Sequence, residues 1–192
     1  DFIETARIEA ILGGGGISPV REIVVYSTRG HVGAYFAHFA IRYFGGQNVS
    51  VYHDGIDGWT DDKLPLETSE TRLAPVRLNL APNPAVAVTT AEMLGRLQDK
   101  DVQIVDVRTH DEFAGRDVRG IRGGHVPGAV NIPYEENWVD PDTAGKLARR
   151  EVANNRGMSL KSDPELRSLY SRLDANKETI VYCQSGVRSA ET

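Results

Sequence analysis

Two stretches of this chain, far apart in sequence, share one plan. Ile23-Val24-Val25-Tyr26-Ser27-Thr28-Arg29-Gly30 lines up with Thr179-Ile180-Val181-Tyr182-Cys183-Gln184-Ser185-Gly186. The Val-Tyr pair and the glycine fall in register, and Ser27 stands where Cys183 stands. Each stretch begins as a β-branched run, which favours a buried strand, and then breaks into a compact polar turn. A helical stretch follows the first turn over residues 32–44, with Tyr35, Phe36, Phe39, Ala40 and Tyr43 on one broad face. A repeat of strand, turn and helix restricts the chain to an α/β architecture around a mostly parallel sheet. In such sheets ligands sit beyond the carboxyl ends of the strands, which is where both turns fall.

The rest of the chain fits that plan. Residues 1–12 have Phe2, Ala6 and the Ile3/Ile11/Leu12 group at helical spacing, and Gly13–Gly16 stops the helix. Val49–Tyr52 is a second short strand, followed by a turn around Asp54, Gly55 and Trp59. Residues 63–84 then change character: Pro65, Pro75, Pro82 and Pro84 break up a polar stretch that reads as a linker wrapped on a surface. After it the pattern restarts. Thr89 or Thr90 caps a helix over residues 91–98, with Glu92 in its first turn and Met93, Leu94 and Leu97 facing inward. Strands are expected at 102–108, 129–133 and 179–182, and a helix at 164–173. The long polar segment 137–161 reads as a flap or a solvated insertion.

Composition excludes several function classes. Apolar residues make up 40% and charged residues 26% of the 192, a globular balance. With 22 basic and 27 acidic side chains, the net charge of −5 offers no footprint for nucleic acid and no polybasic membrane anchor. No apolar run approaches the ~20 residues of a membrane span. The single cysteine excludes an intrachain disulfide and a CxxC metal site, and the five histidines show no metal-ligand spacing. The chain begins at Asp1 rather than methionine and stops at Thr192, within the helix expected after the second turn, so it reads as a piece of a longer protein.

That one cysteine is the chemical focus. Cys183 follows a buried strand, and the residues after it are expected to open a helix. A helix N-terminus directs free N–H groups and partial positive charge at its cap, which stabilises a thiolate and any anion bonded to it. Gly186 lets the loop curl so that N–H groups converge into a nest. Arg188 adds a cation five residues on. The bland alternative, a structural buried thiol, suits apolar neighbours better than Gln184, Ser185 and Arg188.

Four motifs in order resemble the rhodanese family of sulfurtransferases: Ile104-Val105-Asp106-Val107-Arg108, Glu112-Phe113, the run from Gly124 to Pro133, and the run from Val181 to Ala190. The resemblance implies a three-layer α/β fold with a central parallel five-stranded sheet, present in tandem copies. Residues 1–68 resemble the C-terminal half of a catalytically silent copy, ending in Asp54, Gly55, Trp59 and Leu64-Pro65-Leu66. Residues 69–84 are then the Pro-rich linker, and 85–192 an active copy cut after its loop. Ser27 and Val32 replace the thiol and the arginine in the silent copy; Arg29 and His31 there are expected to be scaffold. Trp59 and Trp138 read as packing residues.

The resemblance also implies a mechanism. The Cys183 thiolate takes the sulfane sulfur of thiosulfate and carries it as a persulfide. Loop groups from Gln184, Ser185, Gly186, Val187 and Arg188 hold that sulfur, and Arg188 with Arg108 draws the anionic donor. Cyanide, a small thiol or a protein thiol accepts it. Supporting roles fall to Asp106, which orients Arg108 or the loop, to Glu112, which stands where some members have a substrate-binding arginine, and to His125, which fixes a turn. Arg108 is equally open to a salt bridge with Asp106 or Glu112. No metal or organic cofactor is implied, and the compartment is left open between cytoplasm and periplasm.

The spacing from Cys183 to Arg188 is Cys-x4-Arg, one residue shorter than the Cys-x5-Arg loop of related cysteine phosphatases and arsenate reductases. The tighter loop favours sulfur over a phosphoryl group. Arg188 tilts the donor towards thiosulfate, with 3-mercaptopyruvate as the alternative. A protein-thiol sulfur relay and a non-catalytic binding module are the remaining readings.

Overall fold

The computed structural model describes residues 4–192. Phe2 and Ile3, placed above on the first helix, lie outside the described residues. Helix α1 covers Thr5–Gly14 and runs into the glycines expected to stop it. Strand β1 (Ile23–Tyr26) pairs in parallel with β2 (Val49–Tyr52), Ile23 opposite Val49 and Tyr26 opposite Tyr52, and helix α2 (Gly33–Tyr43) connects them. Helix α3 (Gly55–Asp61) follows β2.

The stretch after α3 has no regular structure until a 3-10 turn at Pro84–Val86, and it lies on the first unit as a surface strap. The Val76 amide donates to the Gly13 carbonyl (2.9 Å), the Leu80 amide to Glu9 Oε1 (2.7 Å) and the Asn83 amide to the Tyr43 carbonyl (2.6 Å). Helix α4 (Thr90–Arg96) then starts with a reciprocal cap between Thr89 and Glu92. Its Leu94 is 64% exposed rather than inward, because it faces an open groove.

The second sheet has the order β4-β3-β5, all parallel, from β3 (Val102–Asp106), β4 (Val130–Asn131) and β5 (Glu178–Tyr182). The five-stranded sheet expected from the resemblance is therefore not one ladder among the described residues: they form a two-stranded and a three-stranded sheet. β5 hydrogen-bonds to β3 on one side, while its other edge and residues 85–90 both line a groove of about 590 Å³. Val105, Val107 and Ile132 form the core under the carboxyl ends of β3 and β4, with Tyr134, Leu169, Tyr170, Leu173, Val181 and Cys183 packed around it.

Helices α5 (His110–Phe113), α6 (Thr143–Ala148) and α7 (Asp163–Leu169) flank this sheet. The segment 137–161 is neither a flap nor a solvated insertion. Its Trp138, Asn137 and Thr143 are buried, and Trp138 pairs with Leu160 to make a folded arm. The tip of that arm docks on the first unit. Arg29, 6% exposed, donates to Asp54 (3.0 Å), Asp61 (2.9 Å) and Asn155 (3.4 Å). Ser159 donates to Asp54, Arg156 to Asp61, and His53 Nε2 to the Met158 carbonyl at 2.7 Å. Arg29 is thus scaffold, as its burial demands.

Candidate active site

Cys183 lies immediately beyond the carboxyl end of β5, half-buried against the core. The loop after it curls at Gly186, whose φ of +88° suits glycine; Gly30, its counterpart in the repeat, has φ +70°. This curl brings the Gly186 amide to donate to Cys183 Sγ at 3.1 Å. Burial pushes the thiol up, but the amides of Ser189, Ser185 and Gly186 and the Ser189 hydroxyl outweigh it, leaving Cys183 below the ordinary thiol range. Ser189 lies beyond the span expected to hold the sulfur; its place directly after Arg188, at the end of the loop, was the available signal. The helix expected after the loop is a 3-10 turn, Arg188–Ala190. Directed amides rather than a long helix therefore make the cradle.

The far end of the loop is pinned by a long-range ion pair. Arg188 donates to both oxygens of Glu112, at 2.6 and 2.8 Å, and Glu112 is 1% exposed. Glu112 also accepts from Thr109 and so caps α5 while anchoring the loop. The guanidinium holds the Glu112 carboxyl down at about 2. Arg108 is committed in the same way. It grips fully buried Asp106 (2.5 to 3.1 Å), donates to the Gly124 carbonyl (2.8 Å) and lies 5.6 Å from the Tyr182 ring centre.

Both arginines expected to draw the anionic donor are thus held in ion pairs. Arg188 is near enough for its charge to interact with the Cys183 thiolate, yet each guanidinium is neutralised by a buried carboxylate. Of the two roles open to Arg108, the salt bridge to Asp106 is the one seen. Gln184 and Val187 belong to the loop, while the largest influences that lower the Cys183 thiol come from Ser189, Ser185 and Gly186.

Tyr182, not singled out in the sequence, ties the two walls together. Its hydroxyl donates to Asp106 at 2.6 Å and accepts from the Val126 amide at 3.0 Å. Its position directly before Cys183 was the available signal. His125 stacks on Phe113 (3.6 Å between centres) and donates from Nδ1 to the Phe113 carbonyl at 2.9 Å, which ties its turn to the end of α5. Arg108, Gly123 to Pro127, Tyr182 and Cys183 together line an open cavity of about 400 Å³. Cys183 also reaches the apolar groove beside β5. Among the described residues, no group of three or more His, Cys, Asp or Glu side chains could hold a metal ion.

A half-buried thiolate in a nest of amides, opening on a small cavity, is equipped to attack an electrophilic sulfur and to stabilise an anionic sulfur attached to it. Residues 89–192, which include the whole of this site, match the family model of the rhodanese-like domain. The chain belongs to the rhodanese family. Over its full length it is 32% identical to a Mycobacterium leprae protein named "Putative thiosulfate sulfurtransferase", covering 67% of that relative. A Haloferax volcanii protein of the same name is 30% identical over 99% of the chain and 64% of its own length. Among solved structures, SseA of Escherichia coli, described as a 3-mercaptopyruvate sulfotransferase, superposes with a TM-score of 0.74 at 29% identity, over 95% of this chain and 64% of that one. An anaerobic ergothioneine biosynthesis enzyme from Chlorobium limicola shares the rhodanese fold (TM-score 0.77, 21% identity, 97% of this chain and 47% of that one). The chain thus spans about two thirds of the length of the curated rhodanese relatives. Among the described residues no helix is long and apolar enough to cross a membrane.

Proposed function

We propose that this rhodanese transfers a sulfane sulfur from thiosulfate to a thiophilic acceptor through a Cys183 persulfide. The observation that carries the reading is the Cys183 sulfur itself, lowered below the ordinary thiol range by amides directed at it. The thiolate attacks the outer sulfur of thiosulfate, a Cys–S–S bond forms, and the S–S bond of the donor breaks. Sulfite leaves with the electron pair. The terminal persulfide sulfur, now anionic, occupies the nest of Ser185, Gly186 and Ser189 amides. Cyanide or a thiolate then attacks that sulfur and releases the Cys183 thiolate. Each half-reaction exchanges one leaving group for another, so no proton need move and His125 is left to its turn. Two half-reactions through one covalent enzyme form give ping-pong kinetics.

Arg188 positions the loop through Glu112, and Arg108 with Asp106 builds the cavity wall. The neutral pairing of both arginines favours one second reading. A donor with less charge than thiosulfate, 3-mercaptopyruvate, suits such walls, in keeping with the likeness to SseA.

In the same reading residues 1–68 are the C-terminal half of a silent unit, 69–84 the linker and 85–192 the active unit. Ser27 supports this: its hydroxyl stands at the cysteine position, 3.5 Å from His31 Nδ1, and cannot hold a sulfane sulfur. The open edge of β5, facing residues 85–90 across the groove, is where further strands would complete a five-stranded sheet. Mass spectrometry of the intact protein after thiosulfate treatment tests the function. One added sulfur, lost in Cys183→Ser, is expected. No addition from thiosulfate but one from 3-mercaptopyruvate would move the donor to the second reading.

A further inference from the structure

The second half-reaction leaves a proton to account for. Cyanide, or a thiol already ionised, attacks the Cys183 persulfide without moving one. A neutral thiol must lose its proton as its sulfur attacks, and a basic group in the cavity speeds that step by taking it. Among the described residues, the cavity of about 400 Å³ at Cys183 is lined by four side chains that titrate: Arg108, His125, Tyr182 and Cys183 itself. Arg108 is a donor only, closed onto Asp106 and the Gly124 carbonyl. The Tyr182 hydroxyl gives its proton to Asp106 and accepts from the Val126 amide; burial and the bond to Asp106 push it up to about 12. Cys183 carries the sulfur. His125 remains.

Its ring is held in one tautomer. Nδ1 lies 2.9 Å from the Phe113 carbonyl oxygen, which can only accept, so Nδ1 carries the hydrogen. In the neutral ring Nε2 is then the basic nitrogen, and among the described residues it has no hydrogen-bond or ion-pair partner. The ring lies flat on Phe113, 8° from parallel, which fixes its plane, and the residue is exposed. The turn that carries it is tied to the nucleophile's own strand. The amide of Val126, next to His125, donates to the hydroxyl of Tyr182, next to Cys183, at 3.0 Å. A base with an orienting partner, in the cavity of the reacting sulfur, is the arrangement that proton removal requires.

We propose that His125 is the general base of the second half-reaction, taking through Nε2 the proton of a neutral thiol acceptor. The inference rests on the sulfurtransferase reading and names the class of acceptor that needs the base. As the S–H bond of the thiol breaks to Nε2, its sulfur forms a bond with the outer sulfur of the persulfide. The S–S bond to Cys183 breaks, and the Cys183 thiolate leaves with the electron pair. The acceptor departs as a persulfide, and the exposed imidazolium returns its proton to solvent. No oxidant or reductant enters the step.

Timing the two kinds of acceptor on one loaded sample tests this. The protein is first loaded from thiosulfate, or from 3-mercaptopyruvate, and the added sulfur is read by intact mass. Loss of that sulfur to β-mercaptoethanol and to cyanide is then followed. His125→Asn offers an N–H in place of Nδ1–H and has no basic nitrogen; His125→Gln lacks the base as well. Both are expected to lower the ratio of the thiol rate to the cyanide rate roughly tenfold to hundredfold. The deficit should vanish with a thiol already ionised at the assay pH, such as pentafluorothiophenol. An unchanged ratio, whether both acceptors are slowed alike or neither is, would overturn the role of His125 as base. An equal deficit with the ionised thiol would do the same. A protein that takes no sulfur from either donor would refute the sulfurtransferase reading, and this inference with it.

Discussion

At the scale of single residues, the site turns on how one sulfur is kept ionised although it is half-buried. Desolvation alone raises a thiol, and here three amides and a hydroxyl reverse it. The Ser189 hydroxyl is the member that can be removed without touching the backbone; its single proton serves either the sulfur or the Gly186 carbonyl, 3.0 Å away, where it braces the curl. Ser189→Ala should therefore move the midpoint of iodoacetamide reactivity at Cys183 to higher pH, while the thiolate formed above that midpoint reacts about as fast. An unmoved midpoint would show that the amides suffice. Cys183 itself was legible in the sequence, because a lone thiol between polar residues at the end of a β-branched run is an unusual setting for a structural cysteine. Ser189 was not, because the expected helix hid the fact that its amide and hydroxyl turn back onto the sulfur. The arginines were legible as cations but not as paired cations. Arg188 and Glu112 are 76 positions apart, and local spacing carries no trace of such a contact.

Elements of short range were read well from sequence, and those made by distant contacts were not. Strand β2 falls at Val49–Tyr52 as expected, and the Thr89–Glu92 cap is where the Thr-x-x-Glu pattern puts it. The arm over residues 137–161 was opaque because its burial comes from partners elsewhere in the chain. Trp138, 2% exposed, donates from its indole to Glu191 Oε1 at 2.8 Å, so the base of the arm seats on the turn that follows the Cys183 loop. The second oxygens of Glu191 and of Glu135 are buried without a hydrogen-bond partner among the described residues. Burial, with Glu135 nearby, pushes Glu191 up to about 7 against the pull of the Trp138 indole. This has a definite sign. Below the ordinary carboxyl value Glu191 is neutral folded or unfolded. As pH rises towards 7 the folded state holds a proton that the unfolded chain releases, so stability falls. Glu191→Gln keeps the acceptor for Trp138 and cannot ionise. Its urea midpoint should match the wild type at pH 4, exceed it at pH 8, and show a smaller decline between. Parallel curves would mean that Glu191 is already charged near neutrality.

On the scale of the whole molecule, the unit without a thiol is coupled to the unit with one. Arg29 sits in the turn aligned with the Cys183 loop, yet its guanidinium reaches Asp54 and Asp61 of its own unit and Asn155 at the tip of the arm. The arm's base then holds Trp138 against Glu191. One continuous set of polar and aromatic contacts therefore runs from the first loop to the second. Arg29→Ala should cost about 1–3 kcal/mol in urea unfolding, since it leaves partly buried carboxylates without their shared cation. It should also open the arm to proteolysis near residues 154–158. Unchanged stability and unchanged cleavage would show that the units merely touch. The central claim about this rhodanese remains the chemistry at Cys183, and the intact mass after thiosulfate treatment tests it most directly. A gain of one sulfur that Cys183→Ser abolishes and cyanide removes is expected. A protein whose mass is unchanged by both thiosulfate and 3-mercaptopyruvate, with its Cys183 thiol still alkylatable, would contradict it.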